Sequence, residues 1–158
     1  MGGLIGPKLR AHNRHSKGFN HGSYGVFQWD QARSIPPKAL SALGIIPDVK
    51  WFSFQLGSNE APDLPGLTSL APLISNFSDT AVALQGMDLV ITADTALAHL
   101  AGALALPTFL LLPFSPDWRW MLNRDDSPWY PTMRIYRQPE PGNWVAVFEQ
   151  ILRDLKGD

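Results

Sequence analysis

The chain has 158 residues, 45% of them hydrophobic, and a formal charge of −1 at pH 7. That is enough for one domain with a real core, and it leaves no global basic field to recruit nucleic acid or an anionic membrane, so any anion site must be local. Cysteine is absent, which removes disulfides, thiolate nucleophiles and cysteine-based metal centres together and fits a reducing, cytoplasmic setting.

Residues 1–32 read as an irregular basic arm. Lys8, Arg10, Arg14, Lys17 and the adjoining Arg33 face the single acid Asp30, and His12, His15 and His21 are scattered among glycines. No carboxylate or thiol accompanies the histidines at a metal-ligand spacing, so no metal is expected. Within the arm, "YGVFQW" (24–29) is a candidate first strand. Residues 33–158 form the expected domain. "PPKALSALGII" (36–46) opens with prolines suited to a first helical turn and sets Leu40, Leu43 and Ile46 at helical spacing. "VKWFSFQL" (49–56) is a buried-strand candidate and "GSNEAPDLPG" a loop. A weak extended stretch then leads to Ser78, the expected N-cap of the next helix.

After it the units alternate: strand 88–92, helix 95–105, strand 108–114, a tryptophan-rich segment, strand 133–138 and a last helix 143–156. Apolar strands alternating with helices predict an α/β fold with a parallel sheet covered on both faces. The longest apolar run, "LALPTFLLLPF", is too short to span a bilayer and is broken by Pro107 and Pro113, so no membrane insertion is expected.

Two stretches carry chemistry. In "ITADTALAHLAGAL" (91–104) the strand gives way to a helix at Asp94 and Thr95. Ligands of open parallel sheets bind where strands end, and the first amides of a helix lack intrahelical partners, so a diphosphate against residues 95–97 would be held without metal. Ala96 and Ala98 are small enough for close approach, and His99 lies one turn on from Thr95, on the same side. The alternative is structural: Asp94 or Thr95 as an N-cap, His99 as a hydrogen-bonded or surface histidine. The second stretch, "PFSPDWRWMLNRDDSPWYPTMR" (113–134), sets Asp117, Trp118, Arg119 and Arg124 among further aromatics and acids. It reads either as a loop anchored by its tryptophans and laced with Arg–Asp pairs, or as a lid whose aromatics meet a base or sugar and whose arginines meet phosphate.

Residues 77–144, with "DTALAHLAGAL", "PDWRW" and "DSPWYPTMR", resemble the carboxy-terminal part of heptosyltransferase-like, family nine glycosyltransferases, especially bacterial members fused to tetratricopeptide repeats. "RSIPPKAL" and "WFSFQLG" resemble the preceding blocks. The resemblance implies one Rossmann-like half of a two-domain GT-B-type enzyme that holds a nucleoside-diphosphate sugar as donor substrate, with no other cofactor and no divalent metal. It implies that Asp94, Thr95 and Ala96 line the diphosphate, with His99 nearby, and that Gln55 lies near ribose or base. The chain departs from the family's pattern at Leu56, where relatives often carry lysine, and between Trp29 and Arg33, where a glycine-rich basic loop is shortened or replaced. The amino-terminal domain that supplies the acceptor site and the base has no counterpart here, so the chain is expected to be a donor-binding piece whose partner is that missing domain or a repeat array. The alternative is a non-catalytic remnant or interaction module. A dinucleotide oxidoreductase is disfavoured because no G-x-G-x-x-G opens a helix.

Overall fold

A computed structural model describes residues 9–12, 34–55 and 64–157. The possible strand at 24–29, most of the basic arm with His15 and His21, and Leu56 lie outside the described residues. Strand β1 (Leu9–His12) pairs in parallel with β4 (Leu89–Ala93), Leu9 opposite Leu89 and His12 opposite Thr92. Part of the segment expected to be irregular is therefore strand. "LRAH" has no β-branched residue and draws its conformation from the ladder along β4, an override of local propensity by tertiary context.

Strand β4 pairs in turn with β5 (Thr108–Leu112), and β5 with β6 (Met133–Arg137), all parallel. A second parallel ladder joins β2 (Phe52–Ser53) to β3 (Thr68–Ser69). These two strands form a separate sheet, and β2 lies near β1. The four-stranded sheet has the order β1, β4, β5, β6.

Among the described residues four helices cover this array: α1 (Pro37–Leu40), which runs on as a 3₁₀ turn to Ile45, α2 (Phe77–Gln85), α3 (Ala96–Ala103) and α4 (Trp144–Lys156). The alternation of strand side chains decides which helix packs where. Leu89, Ile91 and Ala93 of β4 and Leu111 of β5 join Leu40, Leu43, Val147, Phe148 and Ile151 on the α1–α4 face. Val90 points the other way, with Leu84, Leu97 and Ala101 of α2 and α3. Leu110, Leu112, Met133 and Ile135 meet Ala98 and Trp120 on that second side. The chain is thus a mixed α/β protein with parallel strands and alternating helices.

Several local expectations change. The helix expected over 36–46 is one α turn followed by a 3₁₀ turn, and the strand expected over 49–56 narrows to two residues. Helix α2 starts from Asn76, not Ser78: the Asn76 side chain accepts from Ser78 N and Asp79 N, while Asp79 accepts from Asn76 N in a reciprocal box. Ala98 is fully buried against the sheet and Trp120, so its smallness serves packing rather than approach of a phosphate. Among the described residues no helix is long and apolar enough to cross a membrane.

Candidate functional site

The junction of β4 and α3 lies at the carboxyl end of the strand that pairs with β1. Every residue of β4 is buried, and the apolar ladder ends abruptly at Asp94. Thr95 is extended, at φ −141° and ψ 172°, and begins α3 as its N-cap residue without a side-chain cap bond. Its hydroxyl lies 3.4 Å from that of buried Thr92 instead. Ala96 is exposed beside it. Among the described residues, the first-turn amides thus receive no side-chain cap from Thr95, and they stand at the positive end of the helix dipole.

His99 follows one turn later. Its Nε2 stands 3.9 Å from Asp94 Oδ1, and the two side chains are 39% and 13% exposed. Asp94 thus stands near an imidazole at the helix start. The other ring nitrogen, Nδ1, shares a 3.0 Å hydrogen bond with Tyr130 Oη. The imidazole also stacks on fully buried Trp120, with centroids 5.4 Å apart and planes inclined by 22°. Two aromatic contacts and one hydrogen bond hold the ring, so its orientation is set before any ligand arrives.

Tyr130 approaches this closely because position 102 is glycine: a Cβ there would overlap the Tyr130 ring. Tyr130 belongs to the segment quoted for its aromatics, but its pairing with His99 spans 31 positions and no local period encodes it. The available signal was Gly102, a small residue inside a helix and three positions beyond the histidine.

The tryptophan-rich segment is both anchored and open. Trp120 is its anchor, completely buried in a 3₁₀ turn of residues Trp118–Trp120. Asp117 caps that turn by accepting from Arg119 N at 3.0 Å and pairs with the Arg119 guanidinium at 3.3 Å. Arg124 grips Asp126 through two bonds of 2.7 Å each. These bonds raise the guanidinium's pKa and lower the carboxyl's. The Arg–Asp pairing foreseen for an anchored loop is therefore present. Trp118 and Trp129 behave differently: they are 78% and 56% exposed, and Trp129 is fixed by an indole N–H donating to Arg119 O at 3.0 Å. Together with His99, Arg119, Trp120 and Tyr130 they line a recess of about 360 Å³. Arg124 is not among its lining residues.

Gln55 lies just past β2. Its amide oxygen and nitrogen are both buried without a hydrogen-bond partner, while its backbone N–H donates to Ser53 Oγ at 3.2 Å. A buried amide with neither function satisfied costs free energy unless something else meets it. The structure thus brings Asp94, Thr95, Ala96 and His99 together and joins Trp118 and Arg119 to them through the recess. It sets Gln55 on a separate strand end and engages Arg124 elsewhere.

No family model matches the chain, and no solved structure does. Protein FlbA of Caulobacter vibrioides is 31% identical to it over 84 residues, a region that makes up 53% of this chain and 14% of that protein. The chain thus corresponds to a small part of FlbA's length.

Proposed function

We propose that this chain is the donor-binding domain of a glycosyltransferase, one half of a GT-B-type pair, that holds a nucleoside-diphosphate sugar with its diphosphate against the first turn of α3. The observation that carries the reading is the uncapped start of that helix, beside exposed Ala96 and directly after the buried central strand. The parallel sheet supports it, because α3 starts at the carboxyl end of β4, where ligands of open α/β sheets bind. The unsatisfied Gln55 amide, just past β2, supports a place for ribose or base.

In this reading helix amides and His99 stabilise the charge that develops on the leaving diphosphate. Displacement at the anomeric carbon also needs an acceptor hydroxyl held and deprotonated on the sugar's opposite face. The described residues provide one wall of such a cleft, so the domain binds donor and relies on a second domain for turnover. The remnant reading is favoured by a different observation: Arg119 and Arg124 are each paired with a neighbouring carboxylate.

Calorimetric titration with uridine, adenosine and guanosine diphosphates, with and without magnesium, separates the two. Donor binding predicts heat with at least one nucleotide, independent of the metal; silence from all of them supports the remnant. Ala96→Pro is the matched variant. Proline is tolerated at the first helical position, and the extended backbone of Thr95 suits the residue before proline. It removes one first-turn amide from the cradle, so affinity should fall about tenfold, roughly 1.4 kcal/mol, with an unchanged far-ultraviolet spectrum.

A further inference from the structure

We infer that Tyr130 is a positioning residue: its hydroxyl donates to His99 Nδ1 and thereby holds the imidazole as an Nε2–H donor for an anion at the first turn of α3. That the anion is a diphosphate rests on the donor-binding reading above, whereas the place of the proton does not. The backbone of Tyr130 is set without help from α3. Buried Ser127 accepts through its hydroxyl from Trp129 N and Tyr130 N, both at 3.3 Å, and Tyr130 O accepts from Met133 N at 3.0 Å, where β6 begins. The ring then lies against Gly102, where any side chain would displace it. A hydroxyl fixed from the β6 side thus meets a histidine carried by α3, at 3.0 Å.

A neutral imidazole has one N–H and one lone pair, so the bond to Tyr130 decides which nitrogen carries which. A phenol O–H donates well and an imidazole lone pair accepts well, which leaves the ring's own proton on Nε2. The surroundings of Nε2 agree. Asp94 Oδ1 stands 3.9 Å away, an arrangement that favours an N–H there and disfavours a lone pair. The same distance is too long for a hydrogen bond, so Asp94 leaves that N–H to an acceptor from outside, and the His99 side chain is 39% exposed. Turning the ring over would set carbon Cδ2 against the Tyr130 hydroxyl, and the stack on Trp120, at 5.4 Å and 22°, holds the plane in which the present bond forms. Nε2, beside Asp94 where α3 begins, thus adds a side-chain donor to first-turn amides that Thr95 does not cap.

Long-range nitrogen–proton correlation spectra of the full chain, recorded above the ordinary imidazole pKa of about 6.5, read the tautomer directly. His99→Gln assigns the His99 ring among the four histidines. Wild type should show the Nε2–H form, a result that needs no variant to fold. Tyr130→Phe keeps a ring on Gly102 and removes only the hydroxyl, so it should mix in the Nδ1–H form. In calorimetry with nucleoside diphosphates and with inorganic pyrophosphate, Tyr130→Phe should weaken binding about threefold to tenfold, the worth of one neutral hydrogen bond. His99→Gln presents an amide N–H near the Nε2 position whatever residue 130 is, so in that background Tyr130→Phe should change affinity less than about twofold. A tyrosine that served packing alone would leave the tautomer unchanged and act alike in both backgrounds. An Nδ1–H imidazole in wild type, a tautomer indifferent to Tyr130→Phe, or undiminished affinity of that variant would each overturn the inference, as would equal losses in the two backgrounds. If no nucleotide binds wild type but pyrophosphate does and shows the expected losses, the positioning role stands and the donor reading falls. If neither anion binds, both fall.

Discussion

Two helix starts in this molecule solve the same physical problem in opposite ways. At α2 the Asn76 oxygen takes the amides of Ser78 and Asp79, at 2.8 and 3.1 Å, and the Asp79 carboxylate returns to accept from Ser75 and Asn76. At α3 the N-cap residue has a hydroxyl able to do likewise, yet it lies beside Thr92. The first start is closed by its own side chains and carries an anionic group next to the dipole's positive end, where such a group is stabilising. The second leaves the same position to be filled from outside. The contrast follows location: α3 emerges at the carboxyl end of the fully buried strand β4. A helix near the middle of the fold can forgo a cap because its buried face, Leu97, Ala98, Ala101 and Gly102, already holds it.

The sharpest way to break the contrast is to make α3 resemble α2. Thr95→Asp places a carboxylate where the diphosphate is proposed to sit. It should stabilise the fold by about 0.5–1 kcal/mol through capping and the helix dipole. It should also weaken diphosphate binding at least a hundredfold, about 2.7 kcal/mol, because the intramolecular anion occupies the amides and repels the ligand. Denaturant unfolding and calorimetry on the same preparation read both effects. Greater stability with undiminished affinity would relocate the phosphate site.

A smaller effect is expected from Gly102→Ala, which acts at the other end of α3's exposed machinery. Alanine favours the helix by about 0.8–1 kcal/mol, but the new Cβ runs into the Tyr130 ring, and overpacking typically costs about 1–3 kcal/mol. The steric term should win because the overlap includes the ring's attachment atom, which cannot swing aside without moving the chain. A net loss of about 1 kcal/mol is expected. The hydrogen bond between Tyr130 and His99 should be lost with it, visible as a change in the histidine's ring-proton shifts. Unaltered shifts would mean that the contact does not fix the imidazole.

The legibility of this fold divides by range. The β4–α3 junction could be read because the change from β-branched to Ala- and Leu-rich sequence is local, and so are the orphan amides that make it interesting. The start of α2 was displaced by two residues because its box pairs Asn with Asp, with exposed Phe77 between them, where a serine two positions on looked the better cap. Strand β1 was hidden because its four residues have little strand character of their own and acquire it from β4. The recess was not legible as a cavity: the sequence shows tryptophans in a row, and only the packing separates buried Trp120 from exposed Trp118. The partnership of Tyr130 with His99 likewise exists only once α3 and the segment before β6 have been brought together.

The smallest effect comes from opening the closed start. Asn76→Ala removes the oxygen that serves Ser78 and Asp79, and loss of an N-cap of this kind costs about 1 kcal/mol. The reciprocal half of the box should not survive intact, since Asp79 is aligned on Asn76 N by the same turn. Helix α2 packs through Leu84 onto the cluster that also contains Leu97 and Ala101, so the penalty appears as a shift in global unfolding rather than as local fraying alone. Diphosphate affinity should stay within twofold of wild type, because α2 gives no residue to the first turn of α3 or to the recess. A variant that loses affinity along with stability would show that the two helix starts are coupled through their shared core, and that the open one depends on the closed one for its position.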